Sequence, residues 1–215
     1  MAAGPAATLP ALRQRIASYY GSKILRHGAT PQGVDWTCAP TQQLRFVQLL
    51  RLCDFSAPFS LNDMGCGYGA LLELIAQRHA RARMDYLGID LAPEMVDAAR
   101  RRWARKRGVA FHAGSAFPRT ADYTVASGIF NVRIDEPLAL WEEFIATTLR
   151  EMAAHSTRGF AVNFLRELPA GMEGKPQLYR TQPGQWAGFC EREVPGGVEV
   201  LDHYGMREFT LLVRK

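Results

Sequence analysis

The 215-residue chain has no apolar run long enough to cross a bilayer, so no membrane span is expected. Its opening, MAAGPAATLPALRQR, is alanine-rich but lacks a basic stretch leading into a sustained apolar one, and is expected to be a loose start rather than a secretory signal. Cysteines are few: Cys38, Cys53, Cys66 and Cys190 stand apart without paired spacing. That argues against a disulfide framework and against a zinc site, and makes a reducing cytoplasm the expected compartment. There is no internal repeat, and no low-complexity tract beyond the alanine-rich start.

What remains is ordinary globular material, 47% hydrophobic and 22% charged, of a length that suits one domain with a full core. The net charge is +5, and much of it sits in RRRWARKR, Arg100 to Arg107, with five arginines and one lysine. Such a run reads as a solvated helix end, where cations also suit the dipole. A nucleic-acid patch is the alternative.

The chain begins all-helical. Leu12, Ile16, Tyr19, Tyr20 and Ile24 recur at helical spacing from Leu9, with His27-Gly28 as a stop. A loop rich in proline and glycine, Ala29 to Pro40, precedes a second amphipathic helix around Leu44, Val47 and Leu50. From residue 59 the rhythm changes to alternating strands and helices. Strands are expected at Ser60–Met64, Met84–Asp90, Val109–Ala113, Tyr123–Ile129 and Gly159–Phe164, and helices at Ala70–His79, Pro93–Lys106, Pro137–Ala154 and Gln182–Glu193. This alternation argues for a parallel sheet covered on both faces. The end differs: Val198–Tyr204 and Glu208–Lys215 are separated only by Gly205-Met206-Arg207, too little for a parallel crossover, so they must pair antiparallel. The expectation is an α/β chain of seven strands with the last reversed, residues 59–215 forming the core and residues 1–58 a helical N-terminal cap.

Between the first strand and the first core helix lies NDMGCGYGALLEL. Three glycines in five positions are entropically costly, so the backbone there must come close to something. A helix N-terminus after a strand favours a negative group, and Asp90, ending the next strand in YLGID, suits a ribose diol. Gly65, Gly67 and Ala70 fit the dinucleotide spacing, which keeps an NAD(P) oxidoreductase open. Asp63, two residues before the first glycine, would repel a pyrophosphate but could help hold an amine. The ligand so implied carries both a carboxylate and an amine.

On DMGCGYG (Asp63 to Gly69), GID (Gly88 to Asp90), DYTVASGIFN (Asp122 to Asn131) and the reversed hairpin VEVLDHYGMREFTLLVRK, the sequence resembles the class I S-adenosylmethionine-dependent methyltransferases over residues 60 to 215. The resemblance implies a Rossmann-like three-layer sandwich and S-adenosyl-L-methionine as cofactor, with no metal. It also implies that Asp63, Gly65 and Gly67 frame the amino-acid end, that Asp90 takes the ribose, and that Leu91 and Met95 lie beside the adenine. Where that family often has an acidic residue after the third strand, this chain has GSAF. Ser115, the backbone at Ala116 and the face of Phe117 would substitute, and Ser127 would offer its carbonyl to the methionine amine.

Methyl transfer from a sulfonium relies on positioning the acceptor. Residues at the C-terminal strand ends are the candidates: Asn131 and Arg133, Asn163 and Arg166, and His203 and Tyr204 closing the sixth strand. The cap is expected to act as a lid. Tyr20 and Trp36 are its candidate substrate contacts, since such rings suit a sulfonium or quaternary ammonium, and His27 and Asp35 are its acid–base candidates. The catalytic set is His27, Asn131 and His203. Tyr20, Trp36, Arg133 and Tyr204 are the substrate-binding set. The expected acceptor is a small molecule, because a closing cap leaves little room for a folded macromolecule. An RNA methyltransferase using the arginine run, and a module that binds the cofactor without transferring its methyl group, stay open.

Overall fold

A computed structural model describes residues 8–215; residues 1–7 of the expected loose start lie outside the described residues, and its remainder from Leu9 is helix. The chain runs α1 (Leu9–His27), a short 3-10 turn (Pro31–Val34), α2 (Ala39–Leu50), β1 (Phe59–Met64), α3 (Ala70–Arg78), β2 (Met84–Asp90), α4 (Pro93–Trp103), β3 (Val109–Ala113), β4 (Ala121–Ala126), α5 (Leu138–Ala154), β5 (Ser156–Leu165), α6 (Pro183–Glu193), β6 (Gly197–Leu201) and β7 (Glu208–Arg214). The strands form one sheet in the order β3-β2-β1-β4-β5-β7-β6. β1 to β5 pair parallel, and β7 lies antiparallel between β5 and β6. The fold class is the expected one.

Period-two alternation sends each strand's residues to two cores. Phe160, Val162, Phe164, Phe209 and Trp141 of α5 fill one face, whereas Leu61, Tyr86, Val125, Ala161 and Leu212 meet α3 and α2 on the other. The cap belongs to both layers. Leu12 and Ile16 of α1 are buried against Leu87, Ile89 and Phe117, and Phe46 and Leu49 of α2 pack with Leu71 and Leu72. The connection from β3 to β4 carries no helix, so α1 covers the sheet face that a crossover helix would otherwise occupy. The C-terminal half of α1 then crosses α4, where Ile24 meets Tyr68, Ala92 and Met95. At Gly21 in this crossing a Cβ would sit 2.7 Å from Glu94 Oε2, the movable end of a side chain.

Two strands end earlier than periodicity suggests. β4 stops at Ala126, not Ile129, because the next turn is drawn toward β5: the Gly128 amide donates to Asn163 Oδ1 at 2.8 Å, with φ at 72°. β6 stops at Leu201, not Tyr204. Asp202, which follows it, is pulled away by Arg166 at 3.1 Å, and a loose turn through Gly205 completes the hairpin. The helix expected to run to Lys106 ends at Trp103, so the arginine run is half helix and half turn. No described helix is long and apolar enough to cross a membrane.

Candidate functional site

The parallel strands deliver their C-terminal ends to one edge of the sheet, and the cap crosses above it. Between them lies a cavity of about 590 Å³. Its floor is the turn after β1. Gly65, Gly67 and Gly69 all have positive φ, at 74°, 54° and 81°, a region that L side chains rarely adopt. They serve different neighbours. A Cβ on Gly69 would lie 2.5 Å from Trp103 Nε1, so this glycine admits a neighbouring helix. Gly67 faces the cap, where a Cβ would come within 2.9 Å of Val34 Cγ1, and Gly65 is closed over by Ile129.

Four amides of this turn are engaged within the chain. Those of Gly65 and Cys66 both donate to the Ile89 carbonyl, at 2.7 and 3.1 Å. The Gly67 amide donates to Asp90 Oδ2 at 2.8 Å, and the Gly69 amide to the Cys66 carbonyl at 3.0 Å. A pyrophosphate would thus find these four donors already engaged. In their place stand two buried carboxylates. Burial pushes Asp63 up to about 7, with Asp90 adding repulsion, although the Tyr86 hydroxyl donates to it at 2.6 Å and opposes the rise. Burial likewise lifts Asp90 to about 6, against the amides of Ala92 and Gly67 that donate to it. Two carboxylates that resist ionisation in isolation are stabilised by a cationic or hydroxyl-rich ligand. An ammonium at Asp63 and a diol at Asp90 fit them; a dinucleotide's phosphates do not.

Most of the sequence candidates converge on this cavity. Asp63, Gly65, Gly67, Asp90, Leu91, Met95, Ser115 and Ser127 line it from the sheet side, with Asn131 beyond β4. Tyr20, His27, Asp35 and Trp36 line it from the cap. Asn131 is 5% exposed and lines the cavity, and its Oδ1 is a buried acceptor without a hydrogen-bond partner. Asp35 is held by the Tyr19 hydroxyl at 2.6 Å and by Lys23 at 2.8 Å. Burial pushes its carboxyl up, but those two bonds take it below the ordinary value, so it stays ionised.

Others are placed elsewhere. Phe117 is buried and stacks on His155, centroids 5.0 Å apart, so its face is occupied by the core under α1; Ala116 is exposed and outside the cavity lining. Arg133 turns back to donate to the Glu136 carbonyl, and Arg166 pairs with Asp202. His203 sits in the β6–β7 turn with its side chain 92% exposed, 2.9 Å from Asp202, and Tyr204 bonds Thr210 at 3.1 Å. Neither reaches the cavity lining, because β6 ends before them and is the outermost strand.

Sequence reading missed two groups. Arg45 lines the cavity from α2, buried on Glu208 and with its guanidinium 3.6 Å from the Trp36 ring centroid. Lys175, Gln177, Leu178 and Arg180 come from the long β5–α6 connection. That connection folds back between two strand ends: Arg133 N donates to Gln177 O at 2.8 Å, Tyr179 N to Asn131 O at 2.9 Å, and Thr181 N to Leu165 O at 3.1 Å. Its helix-free length between two regular elements was the available signal.

Comparison with known proteins agrees with this geometry. The Methyltransferase domain family matches residues 62–159. "Putative methyltransferase Rv1506c" of Mycobacterium tuberculosis is 41% identical over 166 residues, covering 77% of this chain and 99% of that protein. Human N-acetylserotonin methyltransferase, solved in complex with SAM, shares the fold at a TM-score of 0.66 and 16% identity, covering 95% of this chain and 59% of that one. Magnesium protoporphyrin IX methyltransferase from Synechocystis PCC 6803, with bound SAH, gives 0.63 at 14% identity, covering 94% and 97%. With S-adenosylmethionine as its cofactor, the chain belongs to the class I S-adenosylmethionine-dependent methyltransferases.

Proposed function

We propose that this methyltransferase acts on a small-molecule acceptor, held beneath the cap between Trp36 and the β5–α6 connection. The observation that carries this reading is the cavity itself: about 590 Å³, roofed by α1 and the 30s loop, within the ordinary size of small-ligand sites. The two solved relatives described above are both named for small acceptors, which supports the same class. The arginine run offers less to RNA than its composition suggests, since Arg102 pairs with Glu73 at 2.7 Å and Arg100 with Asp97 at 3.6 Å.

In this reading Asp63 and the Ser127 carbonyl receive the methionine ammonium, Asp90 the ribose hydroxyls, and Leu91, Met95 and Ser115 the adenine. The cofactor supplies an activated methyl on a sulfonium that leaves as a neutral thioether. The chain's part is to orient the acceptor, exclude water and take up its proton. Asn131 Oδ1, buried and without a partner, serves in this reading as the orienting acceptor, and His27, which lines the cavity from the end of α1, as the proton acceptor. Tyr20 and Trp36 provide aromatic walls beside the transferring methyl. A reducing cytoplasm remains the expected compartment, in keeping with four free cysteines.

Incubation with methyl-labelled cofactor, a metabolite extract and total RNA tests this. Label is expected in low-molecular-weight products. Label confined to RNA, or none in either fraction despite cofactor binding, would replace this reading with one of the two alternatives.

A further inference from the structure

The charges around the cavity do not cancel evenly. Among the described residues Arg13 is paired with Glu151 at 3.5 Å, Lys23 with Asp35 at 2.8 Å and Arg45 with Glu208. Each of those cations is neutralised by a carboxylate of the same chain. Two cavity-lining cations are not. Lys175 is exposed and close enough to bias Asp35, yet that carboxylate is already bonded to Lys23 and Tyr19. Arg180 gives one guanidinium hydrogen to the Arg166 carbonyl at 3.0 Å, and its Nε is buried without any partner.

These two side chains share a scaffold. Arg180 lies against Gly174, where a Cβ would be 3.4 Å from Arg180 Nε, and Lys175 is the next residue. The backbone beneath them is fixed. Leu178 bridges Val132, Thr181 bridges Arg166, and the Tyr179 hydroxyl accepts from Trp186 at 3.0 Å and donates to Glu142 at 3.2 Å. A strap held by these bonds thus carries Lys175 and Arg180, the latter with a buried, unpaired Nε, to the cavity lining. Apolar residues of that lining include Val132, Leu165 and Leu178. A buried donor without a partner costs free energy that a bound acceptor restores.

We propose that the methyl acceptor carries an oxyanion, a carboxylate or a phosphate ester, on an apolar body, and that Arg180 and Lys175 bind it. The inference rests on the cavity being the small-molecule site described above. Planar oxyanions and phosphates are the ligands that a guanidinium fork matches best, with a lysine adding a point charge.

The test uses the full-length protein saturated with S-adenosylhomocysteine and titrated calorimetrically with benzoate, phenyl phosphate and neutral benzamide. Benzoate or phenyl phosphate is expected to bind, the tighter of the two identifying the oxyanion, and benzamide is expected not to. Arg180→Gln is expected to weaken the anion about tenfold or more, with S-adenosylhomocysteine affinity unchanged. Exposed Lys175→Gln, which disturbs no buried contact, gives the same direction should Arg180→Gln not fold. Equal binding of benzamide, no anion binding by the wild type, or loss of S-adenosylhomocysteine affinity in either variant overturns the proposal; the last would mean that these cations serve the cofactor. Failure of S-adenosylhomocysteine itself to bind refutes the underlying site reading and the inference with it.

Discussion

Arg45 on α2 closes a two-pronged ion pair on Glu208 at the head of β7, with both side chains almost wholly out of solvent, 4% and 3% exposed. Arg45 Nε donates to Oε2 at 2.8 Å, and Nη2 to Oε1. Asn163 extends the pair: its Nδ2 donates to Glu208 at 3.0 Å, and its Oδ1 accepts from the Gly128 amide at 2.8 Å. With Trp36 stacked on the guanidinium, one polar chain joins the cap loop to the turn after β4 that carries Ser127.

Breaking this pair from one side leaves a buried charge alone. Arg45→Met is expected to lower stability by about 3–5 kcal/mol in urea unfolding, and the double variant Arg45→Met/Glu208→Leu to recover much of the loss. A double variant no better than the single one would mean that the pair's role lies elsewhere.

Asp63 makes stability and binding depend on pH in opposite directions. Its folded pKa lies above the usual carboxylate value, at about 7, so the native chain keeps a proton that the unfolded chain releases from about 4 upward. Its contribution to stability is therefore whole below about pH 4 and lost as pH rises toward 7, with Asp90 acting in the same direction to about 6. The urea midpoint of the ligand-free protein is expected to fall across that window relative to Asp63→Asn. Stabilisation by S-adenosylhomocysteine, whose ammonium favours ionised Asp63, is expected to grow across it.

The three glycines of the turn should separate by function. Gly69→Ala forces a Cβ onto Trp103 at a φ of 81°, and is expected to cost about 1–3 kcal/mol of stability while the folded fraction still binds S-adenosylhomocysteine. Gly65→Ala is expected to lose binding as well, since Gly65 lines the cavity. Thermal shifts with and without ligand distinguish the two.

Asp90 is expected to matter twice over, because its carboxylate holds the Gly67 amide and faces the cavity. Asp90→Ala should weaken S-adenosylhomocysteine about tenfold to a hundredfold in calorimetric titration, the size of a lost charge-assisted hydrogen bond. An unchanged affinity would remove it from the cofactor site.

Local pattern carried far in this chain because its elements are locally coded. Period-two strands, proline at the first turn of α4 and the short β6–β7 link were readable, and with them the reversed last strand and the sheet edge that holds Asp63 and Asp90. The errors fall where a distant residue competes for a local one. β4 ends early because Asn163 takes the Gly128 amide, and His203 leaves the site because β6 ends before it. Phe117 is claimed by the core because α1 folds onto the sheet face that the β3–β4 connection leaves bare.

The sequence by itself determined the layer architecture, the glycine turn and the strand-end positions of Asp63 and Asp90, since spacing along one strand or helix suffices for these. Only the tertiary structure decided which neighbour each glycine admits, where the turn's amides point, and which charges are paired. Arg45 meets Glu208, and Arg180 is left with an unpaired buried donor, because of neighbours far apart in sequence. Hydrogen-bond satisfaction in a buried site depends on three-dimensional neighbours, and no periodicity encodes them.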